Sequence, residues 1–381
     1  MPATVAVVRC DTYDESTVFE AVGRGLELLG GAGRFVHDAE NILLKPNLLV
    51  GATPDKVVNT HPAVFSAVAW HLAETGATLS WGDSPGFGNA LAAARKVGIA
   101  QVAQALGVTY ADFADGRQVS FPEGELIKQF VIASAVLDAD GLVTLPKLKT
   151  HALTRMTGAV KNQFGCVPGM LKGEFHMRMP DVDRFAQMLV DLNRLIRPRL
   201  AVMDGVIGME GNGPRGGDPR QVGVIMMSDD LVALDAAACR VMNLDPALVG
   251  TITYGERWGL GSATDIEFVG DDIDRFVVAD YNANRSRQAT TDSGKPKGTL
   301  AKRLVVPRPV IDPAKCTACG TCVAVCPVTP KAVDWANGKG VPPVHDYAKC
   351  IRCYCCQELC PERAIDVQVP ALGRLLHRKS N

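Results

Sequence analysis

The chain has 381 residues, of which 47% are hydrophobic and 21% charged, with 40 basic against 41 acidic side chains and a formal net charge of −1. That length supports about two or three domains with a sizeable core, and the near-zero balance excludes an overall electrostatic pull toward nucleic acid or a membrane surface. The opening MPATVAVVRCD lacks the basic-then-apolar layout of a signal peptide. No apolar run approaches the roughly 20 residues of a membrane helix, so a cytoplasmic protein is expected.

Over residues 1–280, short apolar runs of β type alternate with amphipathic stretches. This pattern predicts an α/β domain built on a mostly parallel sheet with flanking helices. Strands are expected over Thr4–Val8, Ile42–Leu44, Thr78–Trp81, Gly141–Leu145, Leu200–Met203 and Val222–Met227, and helices over 15–29, 63–75, 90–106, 182–196 and 230–243. Thr60 is the expected N-cap of the second helix, with Pro62 in its first turn. Ser228-Asp229-Asp230 supplies capping chemistry for the last, where Leu231, Leu234, Ala238 and Val241 recur at helical spacing. Cys10 and Cys239 fall in apolar strand and helix contexts and are expected in the core.

Ligands of open α/β sheets bind beyond the carboxyl ends of strands, which directs attention to the polar segments that follow them. LLKPN places Lys45 and Asn47 after one strand, and WGDSPGFGN places Asp83 and Ser84 in a glycine–proline turn after another. MDGVIGMEGNGPRGG places Asp204, Glu210, Asn212 and Arg215 in a glycine-rich loop after a third. The densest cluster runs from 145 to 176 and holds Lys147, Lys149, His151, Lys161, Asn162, Cys166, Lys172 and His176. Several cations at one sheet edge suit a carboxylate or phosphate, and the interleaved Gly158, Gly165 and Gly169 distinguish the run from a solvated helix face.

The candidate catalytic residues are Lys147, His151, Cys166 and His176, with either histidine as the proton donor. The remaining residues named in these segments are candidate substrate contacts. Cys166 is open between nucleophile, metal ligand and small buried hydrophobe; nearby Lys161 and His176 would lower its pKa if they approach it in space. His61 ranks below these. No GxGxxG or GxxxxGK[ST] stands at a strand-to-helix junction, so neither a nicotinamide nor a P-loop nucleotide site is supported.

From 281 to 306 the chain turns polar and basic and reads as a linker. Beyond it, eight of the 12 cysteines form two copies of one pattern: Cys316-x2-Cys319-x2-Cys322-x3-Cys326-Pro327 and Cys350-x2-Cys353-x2-Cys356-x3-Cys360-Pro361. In this bacterial ferredoxin spacing the fourth cysteine of each run ligates the other run's cluster. Two [4Fe–4S] clusters are expected, one on Cys316, Cys319, Cys322 and Cys360, the other on Cys350, Cys353, Cys356 and Cys326. Zinc sites use separated pairs and a disulfide framework needs an oxidising compartment, so neither alternative suits two matched runs. The module fills 307–369, and a basic tail covers 370–381.

With these segments in hand, the chain resembles the family called domain of unknown function 362, often fused to a ferredoxin module. The resemblance rests on LLKPN (43–47), GDSPG (82–86), LPKLKTH (145–151), MTGAVKN (156–162), FGCVPG (164–169) and MDGVIGMEGNGP (203–214). The C-terminal part is similar to dicluster bacterial ferredoxins at all eight ligand positions, departing from them at Tyr354-Cys355, where an extra thiol stands beside a ligand.

The expected function is an iron–sulfur oxidoreductase whose clusters pass electrons to or from an anionic small molecule in the α/β domain, served by a redox partner protein. Two alternatives stand beside it. One is an electron carrier or assembly protein that docks a partner and has no chemistry of its own. The other is a non-redox transferase or isomerase with structural clusters.

Overall fold

The computed structural model describes residues 1–169, 171–286, 306–336 and 338–371. Its strands in chain order are β1 (Ala3–Arg9), β2 (Asn41–Pro46), β3 (Thr78–Trp81), β4 (Thr109–Tyr110), β5 (Gly116–Ser120), β6 (Gln129–Ala133), β7 (Gly141–Leu145), β8 (Lys147–His151), β9 (Arg155–Met156), β10 (Leu200–Glu210), β11 (Asp218–Ser228) and β12 (Ile266–Gly270). Ten of them make one mixed sheet, ordered β12-β1-β11-β10-β7-β2-β3-β4, with β8 paired to β10 and β9 to β8. Along the ordered path only the two pairings of β11 are antiparallel, so β1, β2, β3, β7 and β10 all end at one edge. β5 and β6 form a separate hairpin.

Successive strand side chains point to opposite faces, and both faces are covered. Val5, Val7, Met203, Val224 and Met226 pack in one core with helices Val182–Ile196 and Leu231–Val241. Ala6, Val8, Val202, Ile225 and Met227 pack in the other with helices Glu15–Leu28 and Pro62–Ala73. This two-sided burial explains the near-continuous apolar strands of the sequence.

Local details correct the expected boundaries. The second helix is capped by His61, whose Nδ1 accepts from Ala63 N at 3.2 Å. Thr60 instead accepts from Asn47 N at 2.8 Å and donates to Leu145 O at 2.6 Å, joining β2 to β7. The helix expected over 90–106 is two, Ala90–Val97 and Ile99–Ala105, broken at Gly98 with φ 103°, a left-handed conformation that glycine adopts without steric cost. Asp230 caps the last expected helix, accepting from Val232 N and Ala233 N at 2.9 Å each. Asp204 and Glu210 lie on a strand, because β10 and β11 are one long hairpin whose tip spans 211–217. Hydrophobic residues between the glycines still pack there: Met209 is buried with Val50, Val57, Val58 and Leu359.

In the C-terminal module β13 (Arg308–Ile311) pairs antiparallel with β16 (Ile365–Gln368), and β14 (Val333–Asp334) with β15 (Val344–His345). Two short helices, Thr321–Val325 and Cys355–Glu358, lie between them in chain order. The module is docked on the hairpin tip. Asn212 Nδ2 donates to Ile365 O at 3.0 Å and Asp366 Oδ1 at 2.8 Å, while Asn212 Oδ1 accepts from Gln357 Nε2 at 2.7 Å. Arg215 donates to Leu359 O at 2.5 Å.

The expected linker over 281–306 begins with packed residues: Tyr281 is fully buried and its hydroxyl donates to Met209 O at 2.9 Å. Residues 287–305, and 372–381 of the tail, lie outside the described residues. No helix among the described residues is long and apolar enough to cross a membrane.

Candidate functional site

At the carboxyl edge, the ends of β2 and β3 and the helices Gly158–Asn162 and Leu171–Arg178 enclose a partly open cleft. Lys45 Nζ and Asp83 Oδ1 form a buried ion pair at 2.8 Å. The Asp83 carboxylate also accepts from Leu48 N and Ser84 N, both at 2.8 Å, which satisfies the buried charge. A Cβ at Gly165 would overlap Asp83 Oδ1 and crowd Lys45 Nζ, so only glycine lets this backbone pass. Ser84 Oγ accepts from Gly169 N at 3.0 Å and Lys172 Nζ at 2.5 Å, tying β3 to the second helix.

The helix Gly158–Asn162 has no cap of its own. Asp235, on the helix Leu231–Val241, accepts from Ala159 N at 2.5 Å and Val160 N at 3.1 Å. Burial pushes the Asp235 carboxyl up to about 7, against the pull of those two N–H groups. The sequence hides this role: an acid inside an apolar helical run carries no local sign of a partner some 75 residues away.

Eight expected residues line the cleft: Lys45, Asn47, Asp83, Ser84, Lys161, Asn162, Lys172 and His176. Lys161 is half-buried and has no ion pair or hydrogen bond among the described residues. Burial draws the Lys172 amine down to about 8. It holds His176 near 4, so this imidazole, stacked on Phe185, is neutral at pH 7. Asn47 Oδ1, Thr157 Oγ1 and His176 Nδ1 are buried polar atoms without partners, and all three residues line the cleft. Unpaired buried polar atoms are costly, and three of them on residues lining one cleft suit a bound ligand or water.

The remaining wall comes from the cysteine-rich module. Cys355, Glu358 and Leu359 line the cleft, with Ala324 and Val325 beside them. Sequence reasoning missed Thr157, Phe87 and Glu358; Cys355 drew notice only as an extra thiol. Burial alone would raise Glu358, yet Lys161 first and then His151 outweigh it and hold its carboxyl well below the usual range. Glu358 Oε1 lies 3.6 Å from His151 Nε2. His151 Nδ1 accepts from Leu153 N at 3.0 Å, which leaves the proton of the neutral ring on Nε2, toward Glu358. Burial holds His151 near 4.

The other expected residues are not in the cleft. Lys147 Nζ donates to Asp204 Oδ2 at 2.8 Å and Tyr13 OH at 2.6 Å, a buried tie between β8, β10 and the loop after β1. Lys149 Nζ donates to Val58 O at 2.6 Å, and burial pulls its pKa well down. Glu210 accepts from Asn282 N at 2.9 Å, outside the cleft. Asn212 and Arg215 dock the module. Cys166 is fully buried in an apolar cluster with Leu43, Phe113 and Leu142, and burial pushes its thiol up to about 12. Of its three readings, this surrounding matches the small hydrophobe.

The ligand cysteines form a cradle. Cys316, Cys319, Cys322 and Cys360 ring one small cavity, and Cys353, Cys350, Cys322 and Cys326 all lie near Cys356. Among the described residues no group of three or more His, Cys, Asp or Glu side chains is placed to hold a single metal ion. Ala318 N donates to Cys316 Sγ and Ala364 N to Cys360 Sγ, each at 3.4 Å. Arg352 is buried between Cys350 and Cys353 with no hydrogen-bond partner for any guanidinium nitrogen. A buried cation demands a counter-charge, and an anionic iron–sulfur cluster in thiolate ligation supplies one. These residues fit [4Fe–4S] clusters.

Comparison with known proteins agrees. Residues 308–361 match the 4Fe-4S dicluster domain, so the module binds [4Fe–4S] clusters. The chain is 39% identical over 270 residues to the thylakoid-associated protein sll1697 of Synechocystis sp., covering 70% of this chain and 84% of that one. Two solved structures overlap loosely. The lactate racemase apoprotein of Thermoanaerobacterium thermosaccharolyticum has a TM-score of 0.40 at 11% identity, covering 63% of this chain and 57% of that one. A Thermotoga maritima protein has a TM-score of 0.36 at 13% identity, covering 62% and 61%. Residues 42–240 match the model described as domain of unknown function (DUF362), and the chain belongs to that family, carrying a dicluster ferredoxin domain behind it.

Proposed function

We propose that this protein is an iron–sulfur oxidoreductase, in which electrons pass between the clusters and an anionic small molecule bound in the cleft. One observation carries the reading: the cleft wall is shared. Cys355, adjacent in the chain to the ligand Cys356, lines the same space as Lys161 and Lys172. A site for electron exchange has to lie close to its carrier, and this one is built partly from the carrier domain.

The clusters supply single electrons at potentials anywhere from about −700 to +450 mV, so the direction of flow is left open. The chain's own residues do the rest. Lys161 offers a positive charge with no hydrogen bond or ion pair among the described residues, Lys172 a second one held by Ser84, and Thr157 and Asn47 offer unused polar atoms. A cleft that gathers several charged side chains also weighs against a carrier that only docks a partner. Thiolate ligation favours a reducing compartment such as the cytoplasm. A redox partner protein, donor or acceptor to the clusters, is the partner class we propose.

The test is anaerobic. Protein with reduced or oxidised clusters is mixed in stopped flow with a panel of small carboxylates and phosphate esters, and cluster absorbance is followed. One member should change the cluster oxidation state at a rate about tenfold or more slower in Lys161→Ala, a loss of at least ~1.4 kcal/mol. Silence across the panel, or a rate indifferent to the substitution, would overturn the reading.

A further inference from the structure

The two cysteine runs share their backbone turns. Ala318 and Arg352 each stand just before the second cysteine of their run, in left-handed backbone at φ 56° and 65°. Gly320 and Tyr354 follow that cysteine, again left-handed at φ 79° and 61°. Cys316 N donates to Asp312 O at 3.1 Å and Cys350 N to Asp346 O at 3.0 Å, so both runs are entered alike. At one matched position the halves part: it carries a methyl at Ala318 and a guanidinium at Arg352.

That guanidinium is buried, and none of its three nitrogens has a hydrogen-bond partner among the described residues. Its carbon lies 4.9 Å from the centroid of the Tyr347 ring. Tyr347 stacks on His345 at 5.7 Å, and His345 Nε2 lies 3.5 Å from Cys356 Sγ. Arg352 is also the chain neighbour of Cys353, about 3.8 Å away between Cα atoms. Its charge is therefore held among the ligands of the second cluster, where burial excludes the water that would screen it.

A [4Fe–4S] cluster on four thiolates is an anion, and reduction adds one more negative charge. A fixed cation nearby stabilises the reduced form more than the oxidised form, which raises the potential. An arginine charge is permanent, so no protonation step enters. We infer that Arg352 raises the reduction potential of the cluster on Cys350, Cys353, Cys356 and Cys326. In singly reduced protein, one electron leaves the first cluster, which is oxidised, for the second, which is reduced. No bond changes and no proton moves, and Arg352 biases the exchange toward the second. The bias bears on the cleft through the reading proposed above. Cys355 and Val325 line the cleft and precede Cys356 and Cys326, two ligands of this cluster, while Leu359 precedes Cys360 of the other.

Redox titration of the anaerobic, cluster-loaded full chain, followed by electron paramagnetic resonance, resolves the two one-electron potentials without any substrate. Arg352→Gln should lower one of them by about 59 mV or more and leave the other in place, a change of about tenfold in that cluster's equilibrium. Other charges lie near both clusters, Glu358 by Cys353 and Arg215 by Cys360, and a substitution confined to 352 isolates one of them. Arg352→Lys keeps the charge and should restore most of the difference. Ala318→Arg places a charge in the matched loop and should raise the potential that Arg352→Gln leaves unmoved. Should Arg352→Gln fail to load clusters, Ala318→Arg decides: a rise in one potential supports the inference, and unchanged potentials overturn it. Both potentials unmoved in Arg352→Gln, both shifted alike, or one raised would overturn it, as would an Arg352→Lys protein that behaves like Arg352→Gln. Because no substrate enters the titration, none of these results decides the proposed reaction.

Discussion

Lys147 and Lys149 on one side, and Lys161 and Lys172 on the other, look alike in the sequence but do different work in the fold. The first pair sits on β8, whose residues are buried throughout, and each amine is consumed by a partner inside the protein. The second pair sits on short helices after β9, at the rim of a cleft, with Lys161 unpaired and Lys172 held by a serine and a backbone carbonyl. A lysine beside a strand end is therefore weak evidence of a ligand; what counts is whether its charge is already answered. The same contrast separates the two polar strand-end loops: Asp83 and Ser84 face the cleft, whereas Asn212 and Arg215 hold the ferredoxin domain.

The comparison can be broken most forcefully at Asp204. Asp204→Ala leaves Lys147 buried without its carboxylate and should cost about 3–5 kcal/mol in chemical denaturation. Lys161→Ala removes a half-buried charge that acts on the Glu358 carboxylate and should cost less than Asp204→Ala while abolishing anion binding. Equal effects of the two would erase the distinction between structural and cleft lysines. Gly165→Ala, which drives a methyl into the Lys45–Asp83 pair, should destabilise by about 1–3 kcal/mol and weaken anion binding at once, as read by denaturation and calorimetry.

A smaller effect is expected where the domains dock. Asn212→Ala removes three hydrogen bonds to the module and should cost about 1–3 kcal/mol of docking. Faster hydrogen exchange over 355–368, with the β1–β2 region unchanged, would register it; uniform exchange would mean that the hairpin tip does not hold the module. Smallest is a pH effect. Lys172 titrates at about 8 in the fold against an ordinary 10.5. The unfolded chain thus holds the proton longer, and stability should rise with pH between those values. Anion affinity should move the other way and weaken as pH rises through about 8, where the amine loses its charge. Lys172→Met should flatten both profiles.

Much of the molecule was legible in order of residues. Alternating apolar strands and capped helices identified the α/β domain, because burial on two faces writes itself into hydrophobic runs. Half of the expected catalytic and substrate residues do line the cleft, since strand ends of a parallel sheet share one edge. The long β10–β11 hairpin was misread as a loop because its glycines mask a strand that packs through the residues between them. Asp235 and Glu358 could not be found at all: each acts on a segment distant in the chain, and neither has a local pattern.

By itself the sequence determined the clusters, because ligation by closely spaced thiolates is a local property of two short runs. It determined the sheet for a similar reason, since periodicity is local. Only the tertiary structure decided which lysines are spent, that Asn47 Oδ1 is left unpaired, and that the ferredoxin domain forms a wall of the cleft. Those facts depend on burial and on partners far along the chain, and free charge or an unpaired oxygen becomes visible only when every neighbour is in place.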